Sequence, residues 1–342
     1  MVEAVADETP APATRPDEHR GEERRGRNEV GVAVVAVVVV AAALCRPLLE
    51  DLLDRAAVAN WATVFVAITV QAMPFLVLGV SVSALVAAFV PAGMLPRLLP
   101  RRPALAVPTA AAAGVALPGC ECGSVPIAGR LVAQGAPPPA ALAFLLSAPA
   151  INPVVLVATA VAFPGRPEVV LARFLASLAA ATIVGLLWAR RNRDDLLDRA
   201  HQRRGDDDGP ALAVLATTAQ HDLLHAGGFL IIGAATAATL QTVVPRSALD
   251  AVADAGLLSV LALAGLAVVM AICSEADAFI AASLTEFSLT ARLAFMVVGP
   301  MVDVKLVALQ TGTFGRGFAV RFAPLTLVVA VGTSVLIGWW LL

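Results

Sequence analysis

Along the chain, apolar residues gather in runs longer than a soluble core needs, and polar residues gather between them. Trp61 to Val90, Ala140 to Phe163, Glu168 to Trp188, His221 to Val244, Ala291 to Gln310 and Val320 to Leu342 each read as a helix able to cross a bilayer. Val30 to Cys45 reads as one more, extended to about Leu49 with Arg46 snorkelling. A long stretch of mixed charge precedes it, and Leu44 is not the small residue a lipoprotein cleavage site needs, so a signal peptide fits less well. Pro74 is expected to kink the first long helix. Two segments break their own pattern: Ala104 to Gln134 is interrupted over Gly119 to Ser124, and Leu257 to Glu286 near Cys273 and Ser274.

The pattern recurs within the chain. At an offset of 154, Phe75, Leu76, Gly79 and Pro91 fall on Phe229, Leu230, Gly233 and Pro245. At an offset of 151, Cys122 falls on Cys273, Asn152 on Asp303, and AALAFLLSAP (Ala140 to Pro149) on ARLAFMVVGP (Ala291 to Pro300) with five of ten residues identical. Phe, Pro and Cys are scarce enough that this register implies a two-fold repeat. Basic residues orient the halves. Arg97, Arg101 and Arg102 mark one loop as cytoplasmic, and Arg190, Arg191, Arg193, Arg199, Arg203 and Arg204 mark another. Both loops face the cytoplasm only if Ala104 to Gln134 crosses an even number of times. Its first arm, Ala104 to Leu117, reaches only about 21 Å of a ~30 Å core at ~1.5 Å per residue, as a re-entrant hairpin would; two short crossings satisfy the count equally. Repeat one then starts outside and repeat two inside, and Arg246 against Asp250 and Asp254 suits an external loop.

The expected fold is an all-α integral membrane protein, an inverted-repeat helical bundle whose two broken or re-entrant hairpins meet near the midplane. Its parts are a disordered cytosolic tail (1–28), an extra transmembrane helix (29–49), repeat one (58–189), a charged cytosolic loop (190–210) and repeat two (211–342). A composition 59% hydrophobic and 15% charged excludes a soluble globular domain. The net charge of −2, with its basic residues in loops and tail, gives no nucleic-acid footprint. Four cysteines in apolar settings do not make a secreted disulfide framework.

Irregular backbone at membrane depth needs protein or a water-filled cavity around it, so the two interruptions predict a central site. Cys120, Glu121 and Cys122 stand at the first, and Cys273, Ser274, Glu275 and Asp277 at the second, with Asn152 and then Asp303 and Lys305 following the LAF…P motifs. Ionisable groups within a span mark a pathway by default. Glu121, Glu275, Asp277 and Asp303 outnumber Arg130 and Lys305, which favours a cation or a titratable proton site. Cys120, Cys122 and Cys273 add a preference for soft metals or thiophilic metalloids, although a lone C-x-C is a weak metal signal and leaves the metal unknown. His221 and His225 read as interfacial rather than as ligands. Bland roles compete for each residue: small Gly119, Cys120, Cys122 and Gly123 let backbones approach, Ser274 and Asp277 are spaced as a helix-capping pair, and Asp303 and Lys305 are suited to pairing with neighbours. Gly123, Pro126, Pro149, Pro153 and Pro300 carry structural roles, with Asn152-Pro153 expected to break a helix and expose carbonyls. A thiol-redox enzyme using Cys120 and Cys122 and a non-transporting scaffold are the other classes. The chain shows no C-x-x-C, haem motif, Rossmann fingerprint or H-E-x-x-H, so no enzyme activity and no cofactor are expected.

The motifs PGCECGSVP (Pro118 to Pro126), LAFLLSAPAINP (Leu142 to Pro153), CSEADAF (Cys273 to Phe279) and LAFMVVGPMVDVK (Leu293 to Lys305) resemble, in order, those of the predicted permease family containing YraQ-like proteins and organoarsenical efflux permeases. The likeness covers about residues 60 to 340. It implies a plasma-membrane permease with a cytosolic N-terminus, in some members exporting trivalent organoarsenicals, in others linked to metal homeostasis or to a dedicated partner subunit. The expected partners are therefore the lipid bilayer, a small inorganic or organometalloid substrate and a partner subunit. Glu121 departs from the family pattern, in which the residue between the cysteines is usually small; a carboxylate there favours a cation over a neutral arsenical.

Overall fold

The computed structural model describes residues 56–90, 94, 100, 102–117, 119–191, 210–243 and 256–342. The tail, the helix expected over 29–49, the Arg97 and Arg101 loop, Pro91, most of the 190–210 loop and the Pro245 to Asp254 stretch lie outside these residues. The chain divides into 1–59, of which only the opening turn of the first helix is described, and a bundle formed by 60–342.

The first long run forms α1 (Ala56–Phe89), a single helix with Pro74 inside it. The first interrupted segment becomes α2 (Pro103–Ala113) with a 3-10 turn over Gly114–Ala116, and then α3 (Glu121–Ala133). The run from Ala140 forms two helices, α4 (Pro138–Ile151) and α5 (Pro153–Ala162), broken at Asn152-Pro153 as those residues led one to expect. Pro153 has no N–H to continue α4 and drives Asn152 to φ −67°, ψ 157°. α6 (Pro167–Arg191) follows.

After residue 210 the same order of elements returns. α7 (Ala211–Val243) begins ten residues before its expected start at His221. α8 (Leu257–Met270) and the short α9 (Asp277–Ser283) flank the second interruption. α10 (Leu289–Val298) and α11 (Val304–Phe314) replace the single helix expected from Ala291 to Gln310, because Pro300 and the extended Asp303 stop the ladder. α12 (Arg316–Leu341) closes the chain. Among the described residues all regular secondary structure is helical, and five stretches, counting α4 with α5, are long and apolar enough to cross a membrane.

Packing follows the same plan twice: α4 sits against α2, α3 and α6, and α10 sits against α8, α9 and α12. The two sets join through α6 on α12 and α10, α3 on α11 and α7, and α5 on α9. Small residues are buried along the packed helices, among them Ala172, Ala176, Ala180 and Ala181 of α6 and Ala234 and Ala237 of α7. Large apolar side chains face outward: Val70 on α1, Leu224 on α7 and Val328 on α12 are each more than 60% exposed, a surface made for lipid rather than water. Closest approach falls beside the first interruption. A Cβ added to Gly79 of α1 would meet Gly123 Cα of α3 at 2.3 Å, and one added to Gly123 would meet Phe75 O at 2.7 Å.

Candidate functional site

Four breaks in helical backbone converge on one region, and each leaves polar groups that must be satisfied away from water. At the first, Cys120 is the extended N-cap residue of α3, so Glu121 holds its carboxylate at the positive end of that helix. Asn152 braces this break from the second: its Nδ2 donates to Gly119 O at 3.0 Å and to Ala148 O at 3.1 Å, while its Oδ1 accepts from Val155 N and caps α5. Asp303 does the same work at the fourth break, capping α11 through Leu306 N. At the third, α8 ends on Ala271 in the left-handed region (φ 46°, ψ 43°), which Asn or Gly usually occupies. The terminal carbonyls of α8 are taken up by side chains from other helices: Met270 O accepts from Gln241 Nε2 at 2.6 Å, and Ala271 O from Lys305 Nζ at 3.2 Å.

The centre of the region is an ion pair. Lys305 Nζ lies 2.5 Å from Glu121 Oε1 and 3.8 Å from Asp303 Oδ2, all three side chains being buried. Glu121 Oε2 and Asp303 Oδ2 have no hydrogen-bond partner among the described residues. Beside them, the Cys120 and Cys273 sulfurs and a Glu121 carboxylate oxygen lie within 4.8 Å of one another, the spacing of a set that can close on one soft ion. The Cys273 thiol also donates to Glu275 Oε2 at 2.6 Å. Cys122, the residue matched to Cys273 by the repeat, is buried and reduced but outside this trio; it is Cys120 that meets Cys273. The site is closed: Cys120, Glu121 and Cys273 are at most 3% exposed, and the crevice that touches Cys120 between α1 and the first break measures about 10 Å³.

Two further buried pairs flank the centre, each using a residue that sequence reasoning passed over. Arg173 of α6 donates to Asp277 Oδ2 at 2.7 Å, to Ser274 O at 3.2 Å and to Thr159 Oγ1 at 2.8 Å. Ser274 thus contributes its carbonyl, and the N-cap residue of α9 is Ala276 with no side-chain cap, so the expected Ser274 and Asp277 capping pair does not form. Asp222 of α7 accepts from Ser83 Oγ at 2.8 Å and lies 3.9 Å from Arg130 of α3. His225 meets Gly312 O at 3.0 Å, a packing contact between α7 and α11. Pro126 and Pro149 lie inside α3 and α4, Pro153 opens α5, and Pro300 stands in the turn between α10 and α11. Counted in the structure, Glu121, Asp222, Asp277 and Asp303 are buried acids against three buried cations, Arg130, Arg173 and Lys305, with Glu275 half-buried. Among the described residues the excess of acid stands: Asp222 and Arg173, both absent from the sequence count, offset one another, and Glu275 is the acid that lies only partly inside.

No solved structure matches this chain. Two curated relatives do. The UPF0718 protein YcgR of Bacillus subtilis is 37% identical over 281 residues, spanning 80% of this chain and 96% of that protein. A Streptococcus mutans protein named "Putative two-component membrane permease complex subunit" is 29% identical over 294 residues, spanning 83% of this chain and 96% of its own. The model of the predicted permease family ArsP_1 matches residues 57–339, a span that takes in all four breaks and every side chain placed around them. This chain belongs to that predicted permease family.

Proposed function

We propose that the protein is a secondary transporter of the plasma membrane that exports a small thiophilic solute, a trivalent arsenical or a soft metal ion, by alternating access and with proton coupling. The observation that carries this reading is the buried trio of Cys120, Glu121 and Cys273 at the meeting of two helix breaks. Thiols bind such solutes as thiolates and release protons when they do, and a closed site implies that helices must part to load it. An inverted repeat over 58–189 and 211–342 supplies the moving parts in this reading. Its support is the recurring element order and the shared capping role of Asn152 and Asp303.

Purified protein in liposomes tests it. Wild type moves Cd²⁺ or phenylarsine oxide down an imposed gradient, Cys120→Ser and Cys273→Ser lower the rate at least about tenfold, and a collapsed proton gradient slows net transport. Failure to move either solute sinks the reading. The Streptococcus mutans relative's name supports a second subunit for this chain as well; co-purification from native membranes with a stoichiometric partner is the expected result.

A further inference from the structure

Lys305 is the one cation among the described residues that stands between two buried carboxylates. It pairs closely with Glu121, while Asp303 Oδ2, 3.8 Å away, has no hydrogen-bond partner among the described residues, and Glu121 Oε2 has none there either. With both carboxylates ionised the cluster carries one net negative charge, and a Glu121 carboxylate oxygen also lies within 4.8 Å of the Cys120 and Cys273 sulfurs. Lys305 is held by a third contact, Ala271 O at 3.2 Å, which belongs to the same break as Cys273. An ammonium has three donors on a flexible stem, so Nζ can pivot about that carbonyl from one carboxylate to the other.

Resting on the reading of Cys120, Glu121 and Cys273 as the substrate site, the geometry points to Lys305 as a tethered counter-ion. A soft divalent cation takes its place at Glu121, and the ammonium swings to Asp303. Charge balance is kept because the Cys120 and Cys273 thiols give up their two protons to water as they ligate: the divalent cation is met by two thiolates and the Glu121 carboxylate, and Lys305 neutralises Asp303 instead of leaving it bare. A neutral trivalent arsenical displaces nothing and leaves the Glu121 and Lys305 pair intact. Lys305 and Asp303 thus set selectivity between charged and neutral thiophiles, and a bound cation is reported to the end of α8 through Ala271 O.

The test is a double-mutant cycle on the full chain in lipid nanodiscs, reading the ratio of Cd²⁺ affinity to phenylarsine oxide affinity by titration calorimetry. Lys305→Gln removes the competitor and raises the ratio at least about fivefold. Asp303→Asn keeps the α11 cap, a role Asn152 fills with an amide at the second break. It removes the alternative seat and lowers the ratio at least about fivefold in the native background, but less than about twofold when Lys305 is already Gln. Equal costs in both backgrounds mean that Asp303 acts only as a fixed charge and overturn the proposal. So does an unchanged ratio in Lys305→Gln. Should that variant not fold, Lys305→Arg takes its place: a guanidinium engages both Glu121 oxygens at once, so the ratio falls at least about fivefold, and an unchanged ratio again overturns the proposal. The underlying site fails separately, when Cys120→Ser and Cys273→Ser leave both affinities untouched.

Discussion

Arg173 is fully buried on α6, and its guanidinium spans Thr159, the Ser274 carbonyl and Asp277. Removing one member of such a pair leaves the other charge stranded, whereas removing both does not. Arg173→Ala is therefore expected to destabilise the protein by about 3–5 kcal/mol, with Arg173→Met together with Asp277→Asn recovering most of the loss. Thermal unfolding in detergent measures it; a double variant as unstable as the single one contradicts this account of the pair. Glu121, Asp303 and Lys305 were legible from the sequence because each interrupts an apolar run at a break. Arg173 was not, since it stands six residues into α6 near Glu168, where a cation is expected to reach the membrane surface. Asp222 was hidden similarly, because the segment before His221 did not read as helix and the residue looked terminal rather than eleven positions inside α7.

At the scale of elements, the broken helices are positioned by backbone contact as much as by charge. Gly79 and Gly123 bring α1 and α3 within reach of their own main chains, and any side chain at either position pushes them apart. Gly79→Ala is expected to abolish the monodisperse peak in size-exclusion chromatography. Gly265→Ala, on an exposed face of α8 where an added Cβ meets nothing within 4 Å, should be neutral or stabilise by up to about 1 kcal/mol. Equal behaviour of the two variants contradicts the packing argument. The existence and order of the long helices and both interruptions followed from hydropathy, since length and apolarity decide those. Hydropathy stays high across the breaks at Asn152 and at 299–303 and does not reveal them; Asn152-Pro153 marks the first by residue type, and Pro300 stands at the second.

Over the whole molecule, the Cys120 and Cys273 contact ties residues before the 192–209 segment to residues after it. With a protease site placed in that segment, a thiol crosslinker about as short as a direct sulfur contact should hold the cleaved halves together on a denaturing gel. Cys122→Ser should retain the crosslink and Cys120→Ser lose it; the opposite pattern would return Cys273 to the partner suggested by the 151-residue offset. Three buried ion pairs likewise cross the same divide, Arg130 with Asp222, Arg173 with Asp277 and Glu121 with Lys305. That crossing has a consequence for biosynthesis. Arg130 leaves the ribosome 92 residues before Asp222, a delay of about 5–18 s at ordinary synthesis rates. For that time the nascent chain carries cations whose counter-ions do not yet exist, in a solvent that penalises them heavily. The α3 arm is thus expected to wait at the aqueous face and to enter the bilayer only when α7 arrives, and the polar centre closes later still, when Asp277 and Lys305 have been made.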